Sequence, residues 1–206
     1  MFVFGRALEL HPAHVKEAAA ASVQLADRVT EVTGRITTAW MAIMSPREFI
    51  RMTTVLENLD EYEAFLAALS TDAQFDRLVA EGASYFTGTA EGEALQPLDD
   101  FLPPGMPNYT VSTDASVSNG HFRAGYEAAV EFAQLVRTHA GLDTMVLGRW
   151  SGPYTGVAWW TSVQTLGEFE AGRAKLNASP EWQEAADRLG VHFDPGTTAT
   201  IYRRLG

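Results

Sequence analysis

The 206-residue chain contains no cysteine. Its own residues therefore exclude disulfide frameworks, thiolate metal sites, iron–sulfur clusters and cysteine nucleophiles. Basic residues are also few, because 15 Lys and Arg stand against 26 Asp and Glu and give a formal net charge of −11. A surface with this excess of negative charge would release no counterions from a phosphate backbone, so we expect no nucleic-acid partner.

Long apolar segments are missing as well. No stretch approaches the roughly 18 apolar residues that a bilayer span requires. The segment 1–10 is too short and too interrupted to be the core of a signal peptide. We therefore expect a cytoplasmic protein with no membrane partner. The chain is 46% apolar and 20% charged, a composition typical of globular proteins with a buried core.

Motifs for nucleotides, metals and activated serines are absent too. No glycine-rich phosphate loop follows a predicted strand, and neither a His-Glu-x-x-His nor a Gly-x-Ser-x-Gly sequence occurs. The sequence thus predicts no metal site and no cofactor. Any catalysis would depend on acid–base groups in a shaped, dry cavity.

The sequence does contain an internal repeat. At an offset of 107 residues the chain matches itself without a gap, and a fixed period is the signature of a duplicated unit. Two copies are predicted, residues 1–95 and 109–206, joined by a linker at 96–108. Four prolines and a glycine in this linker exclude a helix or a central strand. Matched pairs include His14 with His121, Gly34 with Gly141, Thr54 with Thr161, Leu59 with Leu166, and Phe75 with Trp182.

Each copy is predicted to have the element order β-α-β-β-α-β, which is the order of the ferredoxin-like fold. Periodicity predicts strands at 2–10, 36–44, 49–56 and 84–95, and helices at 13–33, 59–69 and 72–81. The second copy repeats this with strands at 109–117, 144–150, 155–163 and 197–203, and helices at 122–140, 166–178 and 180–189. Helices on one face of an antiparallel sheet leave the other face bare. We therefore expect the two sheets to face each other as an intrachain pseudo-dimeric barrel.

Two ferredoxin-like units in tandem resemble a fused version of the dimeric α+β barrel superfamily. That superfamily includes the antibiotic-biosynthesis monooxygenase-like and NIPSNAP-like families. The resemblance covers nearly the whole chain and depends on element order and duplication. It implies a cavity between the sheets, which in different relatives hosts cofactor-independent oxygenation, haem chemistry or simple ligand binding.

Strand alternation predicts which side chains line such a cavity. An arginine in mid-strand is tolerated beneath helices only if it is paired, so we assign the faces that carry Arg51 and Arg149 to the inter-sheet side. These charges do not follow the repeat, since Arg51 matches Ala158 and Arg149 matches Ala42. Either a structural ion pair or a single asymmetric ligand site would explain that. Trp40 and Trp160 share these faces and offer flat surfaces to a ligand. The predicted ligand-binding residues are Trp40, Arg51, Arg149 and Trp160.

Two further residues are candidates for proton transfer. Asp114 is predicted on the inter-sheet face of its strand. His139 replaces Val32 on the inward stripe of its helix, and histidine is the side chain best suited to proton transfer near neutral pH. The same position is compatible with an axial haem ligand or with a buried structural histidine.

The leading hypothesis is a small-molecule-binding α+β barrel for an apolar or aromatic metabolite, with cofactor-independent oxygenase, isomerase or cyclase activity left open. One alternative is a non-enzymatic ligand carrier or stress-associated interaction protein. The second alternative is a haem-binding protein. Assembly into a homo-oligomer beyond the intrachain pseudo-dimer is left open.

Overall fold

The structure is a computed structural model that describes residues 1–45 and 47–206, with the backbone alone at Thr89. Within these residues the chain forms eight strands and six α-helices, and none of the helices is long and apolar enough to cross a bilayer. The first half contains β1 (Phe2–Leu10), α1 (Val15–Thr33), β2 (Thr37–Ile43), β3 (Phe49–Leu56), α2 (Leu59–Ser70), α3 (Ala73–Gly82) and β4 (Phe86–Pro97). The second half contains β5 (Tyr109–Ser116), α4 (Phe122–Leu135), β6 (Asp143–Arg149), β7 (Gly156–Val163), α5 (Leu166–Ala178), α6 (Pro180–Gly190) and β8 (Thr198–Arg204).

The predicted fold class is confirmed. The strands follow the hydrogen-bonded order β1-β3-β2-β8-β5-β7-β6-β4, which closes into a barrel. The first half contributes the order β4-β1-β3-β2 and the second half contributes β8-β5-β7-β6. Each set of four is the antiparallel arrangement that a split β-α-β unit produces.

Two compact units divide the chain. Unit 1 contains Met1–Leu95 together with Arg203–Gly206, and unit 2 contains Gln96–Tyr202. The segment predicted as a linker begins with the end of β4, because that strand continues to Pro97. The backbone N–H of Leu98 then donates to the carbonyl of Val146 at 2.9 Å. The proline-rich segment is therefore attached to unit 2 at its start.

Unit 1 is built on one apolar face of its strands. Ile50 is fully buried and packs with Leu10 and with Ala18 of α1. Because side chains alternate along a strand, the neighbouring Arg51 points to the opposite face of the sheet. A second feature, the contact of α1 with α3, is fixed by Arg28, which donates from two guanidinium nitrogens to the Asp72 carboxylate at 3.0 and 2.5 Å.

Unit 2 has a corresponding core beneath α4. Val146 and Val157 of the sheet pack with Ala129 and Ala133 of that helix. Gly125 lies one turn earlier, and a Cβ at that position would collide with the methyl groups of Val117. The small residues of α4 therefore permit the close approach of the helix to the sheet.

The end of α4 differs from the predicted single helix over 122–140. The α-helix ends at Leu135, and a π-helical turn follows over Val136–Ala140. In unit 1 the matching helix remains α-helical to Thr33. Both helices terminate at a glycine with φ of 69°, a left-handed conformation that suits glycine. The wider turn is thus a specific feature of unit 2.

Helix α5 provides a test of close packing. A Cβ on Gly172 would lie 2.5 Å from the Leu142 side chain, whereas a Cβ on Gly167 would meet only the Thr165 hydroxyl at 3.9 Å. We expect Gly172→Ala to lower the free energy of unfolding by about 1–3 kcal/mol through overpacking. Gly167→Ala, the control on the same helix, should be neutral or stabilising because alanine favours the helix. Urea unfolding midpoints measure both, and equal effects would contradict the close contact.

A second test uses the ion pair between α1 and α3. The hydrogen bonds from Arg28 hold the pKa of Asp72 below its usual range. A carboxyl group whose pKa is lower in the folded chain than in the unfolded chain stabilises the fold. The stabilisation is fully present above the pKa of the unfolded chain, about 3.9. It is lost as the pH falls through the pKa of the folded chain. We expect the urea unfolding midpoint of the native chain to be higher than that of the Asp72→Asn variant, and this difference should be constant from pH 7 to 5. That difference should shrink towards pH 3.

Asparagine keeps an acceptor for the backbone N–H of Phe75, which Asp72 caps at 2.6 Å. The Asp72→Asn variant therefore isolates the charge. Asp76→Asn removes the same charge from the same helix and should show little difference at any pH. A gap for Asp72→Asn that persists unchanged at pH 3 would contradict this assignment.

Candidate functional site

Unit 2 contains a cavity of about 400 Å³ on the side of its sheet that faces the helices. Residues from β5, β6 and β7 form its floor, and residues from α4, α5 and α6 form its walls. The segment that follows α6 contributes the rim. The lining residues are Thr113, Ala115, Phe132, Val136, Leu142, Thr144, Trp159, Thr161, Phe169, Arg173, Leu176, Trp182, Gly190, Phe193, Asp194, Pro195 and Thr197.

Threonines supply the polar part of the floor. Thr144 and Thr161 are cross-strand neighbours, and their hydroxyl oxygens lie 3.0 Å apart. Thr144 is 1% exposed and also donates weakly to the Leu142 carbonyl at 3.3 Å. These two hydroxyls therefore satisfy each other, and the floor presents mainly methyl groups and the Trp159 ring.

Aromatic rings form the walls. Phe132 contacts Trp159 edge to face at a centroid distance of 6.0 Å, and it contacts Trp182 at 5.5 Å. Phe193 contacts Trp159 in the same manner at 5.4 Å. The indole N–H of Trp159 donates to the carbonyl of Ala129 at 2.8 Å. The rings therefore pack against one another, and the Trp159 indole is anchored to α4.

Charged groups occur at the rim. Asp194 and Arg173 are both exposed. Asp194 accepts a hydrogen bond from the Ser118 hydroxyl at 2.7 Å, and its backbone N–H donates to the carbonyl of Ser116 at 2.8 Å. These contacts fix the segment after α6 against the end of β5. The interior of the cavity is therefore apolar, and its charges lie where it opens to solvent.

The π-helical turn lies beside this cavity. Val136, its first residue, lines the wall. Arg137, the next residue, donates to the carbonyl of Thr144 at 2.6 Å and to Asp99 at 2.8 Å. The Arg137 guanidinium also lies over the Phe101 ring, 4.4 Å from its centroid. This arginine thereby connects the proline-rich segment, the helix end and the strand that carries Thr144.

The lining supports binding better than acid–base catalysis. Among the described lining residues, Asp194 is the one carboxylate, and no histidine, cysteine, tyrosine or methionine occurs. These are the side chains that commonly ligate haem iron, so the cavity does not fit a haem with a protein axial ligand. Within the described part of the chain no cluster of three metal-ligating side chains is found either.

Three of the predicted site residues lie on the opposite face of the same sheet. Val157 and Trp159 pack beneath α4, so Trp160 points away from the helices. On that face Arg149 donates to one oxygen of Asp114 at 2.5 Å, and the Ser112 hydroxyl donates to the other at 2.8 Å. The Trp160 indole nitrogen is buried and has no hydrogen-bond partner among the described residues.

The other two predicted ligand-binding residues belong to unit 1. The indole N–H of Trp40 donates to the Thr53 hydroxyl at 2.9 Å. Arg51 lies 3.2 Å from a carboxylate oxygen of Glu93, and the two side chains are 13% and 11% exposed. The structure thus places each predicted arginine in an ion pair within its own unit. Ligand binding by Trp40, Arg51, Arg149 and Trp160 stays a prediction.

Arg149 also borders a second cavity of unit 2, of about 380 Å³. Three aromatic rings pack together there, with Phe122 4.7 Å from Tyr126 and 5.7 Å from Tyr154 between ring centroids. Burial raises the pKa of the Tyr126 hydroxyl. Trp150, a further lining residue, donates from its indole to Gln96 at 2.6 Å.

His139 lies apart from Asp114 and does not line either cavity. It belongs to the π-helical turn, and its Nδ1 lies 3.4 Å from the hydroxyl of Ser179, the residue between α5 and α6. This contact places His139 against the junction of α5 and α6. The structure therefore does not bring together the two residues predicted for proton transfer.

The comparisons with known proteins concern the fold. No protein-family model matches the sequence, and no curated protein matches it. A candidate monooxygenase from Fusobacterium nucleatum subsp. nucleatum ATCC 25586 is similar in structure, with a TM-score of 0.75 at 7% identity, over 100% of this chain and 92% of that one. A candidate monooxygenase from Lactobacillus acidophilus NCFM gives a TM-score of 0.69 at 11% identity, over 100% of this chain and 94% of that one.

A third similar structure is a haem-binding protein from Thermus thermophilus, with a TM-score of 0.55 at 11% identity over 100% of this chain and 91% of that one. The chain shares the ferredoxin-like fold of these proteins, as the resemblance implied. At these identities the likeness concerns the fold alone. Assignment to the antibiotic-biosynthesis monooxygenase-like or NIPSNAP-like families stays a prediction, as does the tandem duplication.

The contact of Arg149 with Asp114 can be measured directly. Both side chains are about four-fifths buried, so we expect their interaction to stabilise the fold by about 1–3 kcal/mol. A double-mutant cycle with Arg149→Met and Asp114→Asn, followed by urea unfolding, isolates this interaction energy. A coupling near zero would show that the pair has no structural role and would favour the ligand-site interpretation of these charges.

Proposed function

We propose that the chain is a small-molecule-binding protein and that its ligand, a flat apolar or aromatic molecule, occupies the 400 Å³ cavity of unit 2. The observation that carries this proposal is the set of interlocked aromatic rings around space that they do not fill. Pockets of this volume with apolar walls and few polar groups are typical sites for small organic ligands. The cavity lies on the helix side of the sheet and so differs from the predicted inter-sheet site.

The rings favour a planar ligand. Trp159 on the floor and Phe132 and Trp182 on the walls offer faces and edges for offset or edge-to-face contacts. The two buried threonine hydroxyls are hydrogen-bonded to each other, so they do not need a polar group of the ligand as a partner. Apolar contact therefore provides most of the affinity.

Binding, rather than a particular reaction, is the function that this geometry supports best. Cofactor-independent oxygenase, isomerase or cyclase chemistry needs a group that accepts a proton from the ligand. Asp194 is the residue of the described lining that could do so, and it lies at the rim, engaged by Ser118. A carrier of an apolar metabolite needs no such group, and the same cavity serves it.

A fluorescent apolar probe tests the proposal. N-phenyl-1-naphthylamine is neutral, flat and emissive in apolar surroundings, and we expect it to bind with a stoichiometry of one per chain. Ala115→Phe places a ring in the cavity and should weaken binding at least tenfold. Ala178→Phe adds the same ring to an exposed position at the end of α5 and should leave binding unchanged.

Two further measurements show whether the probe binds in this cavity. Excitation of the protein should transfer energy to the bound probe, because Trp159 and Trp182 line the cavity. Circular dichroism of Ala115→Phe must match that of the native chain. Equal affinity of the two alanine variants, or no probe binding by the native chain, would overturn the proposal.

A further inference from the structure

We infer that the ligand of this cavity carries an acidic group, and that Arg173 receives that group at the rim. The inference depends on the proposed function and extends it to the chemical class of the ligand. Arg173 lies on α5. Phe169, Arg173 and Leu176 are spaced four and three residues apart, so they share one face of the helix, and all three line the cavity.

The position of α5 is fixed close to the sheet. Gly172 lies against the side chain of Leu142, the residue before β6. The space between the helix and Leu142 leaves no room for a side chain at position 172. Leu176 is buried with Leu142 in the same cluster. Because this end of α5 is fixed by packing, the backbone of Arg173 is held beside the cavity, and its side chain lines the mouth.

Arg173 has no ion pair or side-chain hydrogen bond to any residue that the structure describes. The other arginines near the cavity behave differently, since Arg137 binds Asp99 and Arg188 binds Glu131. Asp194 is the acidic residue that shares the cavity rim with Arg173, and its carboxylate accepts from Ser118. The rim therefore contains a cation that is available to a ligand.

The internal repeat indicates that the fold does not require this charge. Leu66 stands at the position of unit 1 that matches Arg173, and it lies on the corresponding helix α2. The neighbouring matches keep their character, since Leu69 corresponds to Leu176 and Tyr62 to Phe169. A charge that is absent from an otherwise similar helix is more readily explained by recognition than by folding.

The guanidinium group determines the ligand class. Its planar set of donors matches the two oxygens of a carboxylate or the oxygens of a sulfonate. The chain as a whole carries a formal charge of −11, which repels anions over long distances. Affinity for an acidic ligand therefore has to come from a local contact, and Arg173 provides it. The expected ligand is an apolar, flat molecule with one acidic group.

A pair of probes with one skeleton tests this inference. 1-Anilinonaphthalene-8-sulfonate carries an anionic group, and N-phenyl-1-naphthylamine has the same rings without it. We expect Arg173→Leu, which introduces the residue of unit 1, to weaken sulfonate binding about fivefold, as the loss of one partly exposed charge contact implies. Binding of the neutral probe should change less than twofold. Arg173→Lys retains the charge and should recover most of the sulfonate affinity.

Arg77→Leu is the matched control. Arg77 is an exposed arginine of α3 in unit 1, so its removal changes the net charge equally without altering the cavity. It should affect neither probe. Equal losses for both probes in Arg173→Leu, or equal losses of sulfonate binding in Arg77→Leu, would overturn the inference. Failure of the native chain to bind the neutral probe would overturn the proposed function as well, so the two failures are distinguishable.

Discussion

The close packing of α4 on the sheet of unit 2 is the contact on which the candidate site depends. Gly125, Ala128, Ala129 and Ala133 form the buried stripe of this helix, and their small size brings the backbone near the strands. Phe132 lies on the same helix but has a much larger side chain, which contacts Trp182 of α6. The helices are therefore close to the sheet along the small residues of α4. Where the aromatic rings lie, the helices are farther from the sheet. The cavity is the space that results.

Edge-to-face packing explains why the rings leave this space. Such contacts place the centroids of Phe132, Trp159 and Phe193 about 5–6 Å apart, because the positive edge of one ring meets the negative face of another. Rings in this arrangement are held in place by contact with one another and do not move into the gap.

At the matching positions of unit 1 the residues are Leu25, Met52 and Phe86. Two of the three rings are replaced there by flexible aliphatic side chains, which fill gaps more easily. The threonine pair, in contrast, occurs in both units, as Thr37 with Thr54 and as Thr144 with Thr161.

Sequence periodicity predicted the elements closely, because most helices carry one apolar stripe and the strands are short apolar runs between turn residues. The prediction for α5 agrees with the structure at both ends, and Thr165 accounts for its start through a capping box. The π-helical turn was not predicted, since it lies at the end of the helix and no further helical residues follow whose shifted apolar stripe would reveal it. The acidic partner of Arg51 was not predicted either, because Glu93 lies 42 positions away in a strand with a weak pattern. Strand alternation did place Asp114 and Arg149 on one face, but alternation cannot show whether two charges on a face meet each other or a ligand.

The cavity was missed for a related reason. Aromatic residues on a helix-facing strand position are most simply interpreted as core, and periodicity carries no information on whether a core is filled. The repeat does contain a signal, because Trp159 occupies the position that matches Met52, but a ring at a buried strand position is equally compatible with a filled core. The charged residues of unit 2 differ in whether another side chain already binds them. The carboxylate of Asp114 already accepts from Arg149 and Ser112, so a ligand would have to displace a partly buried contact to reach it. At the rim of the cavity no such contact with a described residue has to be broken to reach Arg173, and this difference supports the proposal that recognition occurs on the helix side of the sheet.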